Sequence, residues 1–396
     1  MNRFLGAMLL VSGMSIGTGM LALPVITSFA GFFPTLMLLA ICLFFMLMTG
    51  FMIVEINLYA GLNSNMISMS EKTLGKTAKI ISWFCYLFLF YSLQAAHIAA
   101  SVPLLEIFFP FLPSMIFPLG IIILFGGFIF AGTKETDFVN RLVIAGLILG
   151  YLLLIIFAPS HVDMQKILRS DFKPLLLNIP IVLISFGFQN IVPTINSYLK
   201  GDRRKIYLAI TLGAFLPFLL YAFWEFIVIG TVPLYGSPSL SDAYTQGLSA
   251  NVPLMEVLKT PFVQIGTSIF SMCAILTSFL GISLALIDFL TDGLKLPKNK
   301  KGRSLSFFLA FFFPVLFVYF YPKGFLFALQ FAGIIAVILV GILPCLMAFR
   351  LLGTFWNTKK GKILLYITLL FFVFVEIITI LLKFGFFQNL ISLKTG

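Results

Sequence analysis

Apolar residues run along this chain in blocks of roughly twenty, separated by short polar punctuation. A block of that length crosses a bilayer's hydrocarbon core as a helix. Eleven such blocks can be read, near residues 4–30, 33–58, 79–105, 114–132, 139–159, 174–199, 206–232, 261–291, 304–321, 323–349 and 362–386. The ninth and tenth are separated only by the turn around Tyr321, Pro322 and Lys323. The pattern predicts an all-α polytopic membrane protein of eleven transmembrane helices in one domain over residues 1–396.

Two blocks are interrupted where a membrane helix should be strongest. In the first, SGMSIGTGMLALP (Ser12–Pro24) places Gly13, Gly17 and Gly19 among Ser12, Ser15 and Thr18. Each glycine costs about 1 kcal/mol of helix propensity relative to alanine. In the sixth, IPIVLISFGFQNIVPTINSYL (Ile179–Leu199) carries Ser185, Gly187, Gln189, Asn190 and Pro193 at its middle. Five spans separate the starts of the two, so they run in opposite directions. That is the signature of a 5+5 inverted repeat, here about 4–159 and 174–349, with 362–386 left over.

Composition agrees with the class. The chain is 60% apolar and 10% charged, against roughly 45–50% and 25% for a soluble domain. The net charge of +12 suggests nucleic acid until the basic residues are placed on the spans. With the N-terminus inside, 19 of the 26 lysines and arginines fall on inner segments and seven, including Lys394, on outer ones. The positive-inside rule then puts the N-terminus in and the C-terminus out, and nucleic acid is not an expected partner. The start, Met-Asn-Arg before an apolar stretch, mimics a signal peptide, but Ala22-Leu23-Pro24 makes a poor cleavage site and an uncleaved first span is expected. Trp83 and Trp356 are expected near the inner interface and Trp224 near the outer one. The four cysteines all fall in apolar runs without CxxC spacing, which predicts neither a disulfide framework nor a zinc site. No cofactor is expected.

A break at mid-membrane frees backbone groups that hydrocarbon cannot satisfy, so it must line a cavity or face a ligand. The second half of helix 1, starting around Gly17–Met20, presents amides and a positive dipole end suited to a carboxylate. The first half, ending around Val11–Gly13, and the outer half of helix 6, ending around Ile184–Phe186, present carbonyls suited to an ammonium group or a cation. The two sites side by side describe an α-amino acid. The alternative is a close-packing seam of small residues; the second, inverted break favours the binding reading.

GMSIGTGMLALP (Gly13–Pro24), SFGFQNIVP (Ser185–Pro193) and TSFLGISLALIDFLTD (Thr277–Asp292) resemble the corresponding segments of the hydroxy/aromatic amino acid permeases. These are the bacterial tyrosine and tryptophan permeases of the amino acid–polyamine–organocation superfamily. The likeness covers nearly the whole chain in length, span count and motif order. It implies a leucine-transporter-like fold, a bacterial inner-membrane location and proton-driven uptake of tyrosine, tryptophan or phenylalanine. Carried over, the substrate-backbone site maps to Ser15, Ile16, Gly17, Thr18 and Gly19, and to Ser185, Phe186, Gly187, Phe188 and Gln189. Thr18 and Gln189 are departures, since members often have Ala and His there.

Other residues are weighed on their own chemistry. Gln94 and His97, three apart in helix 3, face nearly the same way. They suit hydrogen bonds to a phenol or indole, or equally an interhelical bond. Phe186 and Phe188 can stack on an aromatic substrate, and Gln189 can both donate and accept. Glu55, near the inner end of helix 2, is the foremost acid for proton coupling, with a snorkelling interfacial acid as the alternative. Glu225 and Glu376 rank below it. Thr277 and Ser278 on helix 8 are a candidate sodium site, which leaves the co-transported ion as proton or sodium. The expected activity is secondary import of an aromatic amino acid, tyrosine first, by a protein that is not an enzyme. Only His97 of the two histidines lies within a span, too little for an intramembrane catalytic cluster. A sodium-coupled or other neutral amino acid transporter, and a non-transporting nutrient sensor on the same fold, are the alternatives.

Overall fold

The computed structural model describes residues 3–383, apart from 63, 132 and 298. Lys298, Lys394 and the C-terminal end, used above in placing charge, lie outside the described residues. Those described residues form helices and connecting turns, with no strand among them.

Span 1 is a bent pair, α1 (Arg3–Ser15) and α2 (Thr18–Thr27), with axes 51° apart. Span 2 is α3 (Phe32–Ala60), after which a short α4 (Met66–Leu74) precedes span 3, α5 (Lys76–Phe108). Spans 4 and 5 are α6 (Phe117–Ala131) and α7 (Thr133–Phe157). The connection to span 6 holds α8 (Met164–Leu168). Span 6 is again divided, into α9 (Ile179–Ser185) and α10 (Val192–Tyr198). Span 7 is α11 (Arg203–Thr231). The loop after it carries α12 (Leu240–Gln246) and α13 (Asn251–Val257) before span 8, α14 (Pro261–Gly293). Span 9 is α15 (Lys300–Phe320). Span 10 joins α16 (Phe325–Ala336) to α17 (Leu343–Ala348) through a π-helical turn at Val337–Ile342, and span 11 is α18 (Lys359–Lys383). Among the described residues ten helical segments are long and apolar enough to cross a membrane, and the bent pair makes an eleventh.

The packing follows from small residues set where backbones meet. A side chain at Gly150 of α7 would sit 2.5 Å from the Phe270 amide nitrogen of α14, so spans 5 and 8 lie backbone to backbone. At Gly213 of α11 a Cβ would fall 2.6 Å from Val11 and 2.7 Å from the Met8 carbonyl of α1. Close approach of this kind is how helices associate where lipid removes the hydrophobic drive between them.

Two of the tryptophans pack within the protein: Trp224 is only 1% exposed and tilts against Phe270, and Trp356 is buried at 3%. Both rings are large enough that interhelical packing captures them. The short helices α4, α12 and α13 were not expected. Their polar N-caps, Asn65 for α4 and Ser239 for α12, are the local signals that start two of them.

Candidate functional site

The break in span 1 falls at Ile16 and Gly17. α1 runs through Gly13 to Ser15, two residues beyond the end expected from the glycines. Hydroxyls of Ser12 and Ser15 bond back to the carbonyls of Met8 and Val11 at 3.1 and 3.4 Å. A Cβ at Gly13 would meet nothing within 4 Å, so that glycine is a helix residue tolerated at about 1 kcal/mol and not a break. Gly17 is extended, at φ −167° and ψ −156°, and α2 restarts at Thr18 with the Met20 amide on the Gly17 carbonyl at 3.0 Å. In span 6, α9 ends at Ser185 as the sequence predicts. The amides of Phe186 and Gly187 close on Leu183 and Ile184 at 3.0 Å each, and a 3₁₀ turn at Gln189–Ile191 leads into α10.

The two breaks touch. A Cβ at Gly19 would lie 2.7 Å from the Ser185 hydroxyl and 3.4 Å from the Ser185 Cα. A Cβ at Gly17 would run into the Ser278 hydroxyl of α14. Gly17 is needed there for space, since any residue adopts its backbone angles. The Ser278 Oγ accepts the Thr18 amide at 3.3 Å.

Between the breaks stands Tyr221 of α11. Its hydroxyl lies 2.5 Å from the Ser15 carbonyl and 2.6 Å from the Ser185 carbonyl. A phenol carries one proton, so it donates to one carbonyl at a time while both converge on it. Carbonyls from the ends of α1 and α9 therefore aim at one point, and the first amides of α2 lie alongside. An ammonium suits the first arrangement and a carboxylate the second.

The remaining candidates distribute around this centre. Phe186 is fully buried, its ring 5.2 Å from that of Tyr221. Phe188 turns the other way, into the space left by Gly50 of α3, where a Cβ would be 2.8 Å from its ring. Gln189 also faces α3, donating to the Met46 carbonyl at 3.2 Å and the Thr49 hydroxyl at 3.3 Å. Gln94 donates to Ser283 of α14 at 2.9 Å, an interhelical bond. His97 is buried at 3% exposure. Four of these polar atoms, Thr18 Oγ1, Gln94 Oε1, His97 Nδ1 and Gln189 Oε1, are buried without a hydrogen-bond partner. An unsatisfied buried polar atom costs about 1–3 kcal/mol, and all four belong to residues expected from the sequence to bind substrate.

Thr277 and Ser278 point apart. Thr277 donates to Asn140 of α7 at 2.7 Å, and only Ser278 faces the span 1 break. Glu55 is paired with Arg203 at 2.9 Å and accepts the Tyr207 hydroxyl at 2.9 Å, which ties span 2 to the first turn of span 7. A cavity of about 500 Å³ opens beside this pair, lined also by Thr354, Phe355 and Trp356. A second, of about 760 Å³, is lined by Asp288, Thr291, Asp292, Asn299, Lys300 and Arg303. Neither is lined by residues of the breaks.

Two residues that hold the site, Tyr221 and Tyr86, were not singled out from the sequence. Tyr221 ties the breaks together. Tyr86 of α5 donates to Asn190 in the span 6 break at 2.8 Å. Glu225, ranked low, is fully buried against Thr27 at the end of α2. The signal for Tyr221 and Glu225 was present as two polar groups four apart in an apolar span, on one helix face.

The family model for the tryptophan/tyrosine permease family matches residues 1–382. The tyrosine-specific transport system 2 of Haemophilus influenzae is 29% identical, with 97% of this chain and 98% of that protein covered. Its tyrosine-specific transport system 1 is 27% identical over 88% of each chain. The tryptophan-specific transport protein of Shigella flexneri is 29% identical over 87% of this chain and 86% of its own. Two broken spans meeting at a tyrosine-bridged centre, in a chain matched by that model almost end to end, belong to a member of the tryptophan/tyrosine permease family, a family of permeases and not of enzymes.

Proposed function

We propose that this chain is a secondary active importer of aromatic L-amino acids, with tyrosine as its first substrate and protons as the coupled ion. The observation that carries the reading is the convergence of the Ser15 and Ser185 carbonyls on one point beside the amides of Thr18 and Gly19. An α-amino acid presents an ammonium and a carboxylate side by side, and the two half-helix ends complement both. The names of the relatives, tyrosine- and tryptophan-specific transport proteins, support an aromatic side chain. Phe186 supplies a ring at the centre, while Gln94, His97 and Gln189 supply unpaired polar atoms for a phenol or indole.

In this mechanism α1, α2, α3, α9, α10 and α11 move as a bundle against the rest, exposing the breaks to one side and then the other. The basic-residue bias supports the N-terminus inside and the C-terminus outside in a bacterial inner membrane, with repeats about 4–159 and 174–349 and an extra helix about 362–386. Glu55, Arg203 and Tyr207 form an inner latch between spans 2 and 7. Ser278 steadies the Thr18 amide of α2 and is the place to look for sodium.

The test is uptake of labelled tyrosine into proteoliposomes under an inward pH gradient or an inward sodium gradient. Saturable uptake that collapses when the pH gradient is dissipated is expected. Uptake that ignores pH and requires sodium overturns the proton clause. Absence of counterflow with tyrosine, tryptophan and phenylalanine alike overturns the transport reading and leaves a sensor.

A further inference from the structure

Glu225 is an acid in an unusual setting. It lies in α11, 0% exposed, and both of its carboxyl oxygens approach the Thr27 hydroxyl, at 3.0 and 3.1 Å. No lysine, arginine or histidine among the described residues pairs with it. α11 packs against α1, α2, α3, α8, α13 and the turn before α8. Of the titratable groups on those elements, Arg3 is at the far end of α1 and Glu55 is engaged by Arg203 and Tyr207. Lys166 of α8 donates to the Thr231 carbonyl at 2.6 Å, and Arg169 just beyond it donates to the carbonyls of Ser28 and Phe29. His161 contacts Ser160 and Thr260, and Glu256 of α13 makes no bond to Glu225. α2 brings no titratable side chain at all.

The hydrogen count bears on the form the carboxyl takes here. Thr27 has one proton, and its hydroxyl lies 2.8 Å from the Leu23 carbonyl, closer than to either carboxyl oxygen. With that proton on Leu23, the Thr27 oxygen is an acceptor, and a contact with Glu225 needs a proton on the carboxyl. A neutral carboxyl satisfies both bonds. An ionised one would be a buried charge with no cation and a single contested donor, an arrangement folded proteins avoid.

Its position links it to the substrate site by two routes. Thr27 is the last residue of α2, the 10-residue half-helix whose first residues, Thr18 and Gly19, stand at the breaks. Tyr221, which bridges the breaks, is four residues before Glu225 on the same face of α11, about 6 Å along the axis. α2 therefore meets α11 through Thr27 and Glu225 at its C-terminal end, one turn of α11 from the tyrosine that bridges the Ser15 and Ser185 carbonyls.

Resting on the reading of this chain as an ion-coupled amino acid importer, we propose that Glu225 carries the co-transported proton, with Thr27 as the contact through which its protonation seats α2. The proton adds to the carboxylate when Glu225 is open to the outer side, and the neutral acid lets α2 close over the bound amino acid. When the breaks open inward, water comes within one helical turn of Glu225 and takes the proton. A substrate without a proton then meets an ionised Glu225 that resists burial, which couples the two movements.

The experiment compares native protein, E225Q and E225D in proteoliposomes, measuring counterflow of labelled tyrosine and accumulation driven by a pH gradient. E225Q is expected to keep counterflow within about threefold of native, with no dependence on pH, and to lose gradient-driven accumulation. E225D, which keeps an acid, is expected to accumulate with its pH profile displaced from the native one. Accumulation by E225Q equal to native overturns the proposal. If E225Q does not reach the bilayer folded, E225D decides: a displaced profile supports the assignment and an unchanged one overturns it. Counterflow by the native protein tests the transport reading separately, since its absence would fail that reading whatever the variants do.

Discussion

The Tyr221 hydroxyl of span 7 lies 2.6 Å from the Ser185 carbonyl at the end of α9, while holding the matching carbonyl of span 1 at 2.5 Å. One side chain thus links the ends of the two broken helices. In Y221F both buried carbonyls lose their donor, a loss of about 1–2 kcal/mol. That is read as a fall of a few degrees in the thermal midpoint of purified protein. Because an ammonium can bridge the same carbonyls, tyrosine should raise the midpoint of Y221F by more than that of native protein. Equal shifts would mean that substrate and Tyr221 do not meet.

Gly17 and Ser278 leave no room for a methyl group between spans 1 and 8. G17A forces the Ser278 hydroxyl aside or pushes the break open, at a cost of about 1–3 kcal/mol. Tyrosine uptake at matched protein levels is expected to fall about tenfold. S278A in the same chain removes the clashing oxygen and should restore part of the loss. A double variant no better than G17A would show that the Thr18-to-Ser278 bond matters more than the space.

The Glu55–Arg203 pair joins a side chain only 7% exposed to one 62% exposed. With one partner in solvent, the pair itself contributes about 1 kcal/mol or less. R203A leaves the buried carboxylate with only Tyr207 for a partner, whereas E55Q leaves a neutral amide there. R203A should therefore lower the thermal midpoint more than E55Q, and E55Q/R203A should sit near E55Q. The order reversed would place the stabilisation in Arg203 contacts other than Glu55.

Asp202 caps α11, accepting the Lys205 amide at 3.2 Å and pairing with its ammonium at 2.8 Å. The Lys205 side chain first, and its amide second, hold the Asp202 carboxyl below the ordinary aspartate range. A carboxyl depressed in the folded state stabilises above its unfolded value, near about pH 4, and that contribution is lost as pH falls through the folded value. D202A should melt below native protein at neutral pH, with the gap closing in acid. A gap that stays constant well below pH 4 would assign the effect to something other than ionisation.

Sequence reading reached the breaks but not the side chains that close them. It placed the end of α9 and the start of α2 within a residue, because glycine, serine and proline in an apolar run have few other readings. It ended α1 too early, since Gly13 and Gly17 look alike in a string and differ only in what stands opposite. It assigned Thr277 and Ser278 together because they are adjacent. In a helix adjacent residues point about 100° apart, and the two reach different spans.

By itself the sequence determined that this chain has about eleven membrane-spanning segments and that its first and sixth are broken. Those are local properties: run length and helix propensity. Only the tertiary structure decided that Tyr221 bridges the breaks, that Glu55 has a cation and that Glu225 has none among the described residues. Each depends on which faces of distant helices meet, at separations of up to 206 residues between Ser15 and Tyr221. Hydrophobic pattern in a membrane chain says that a helix is buried in lipid or protein, and leaves open which neighbour it faces.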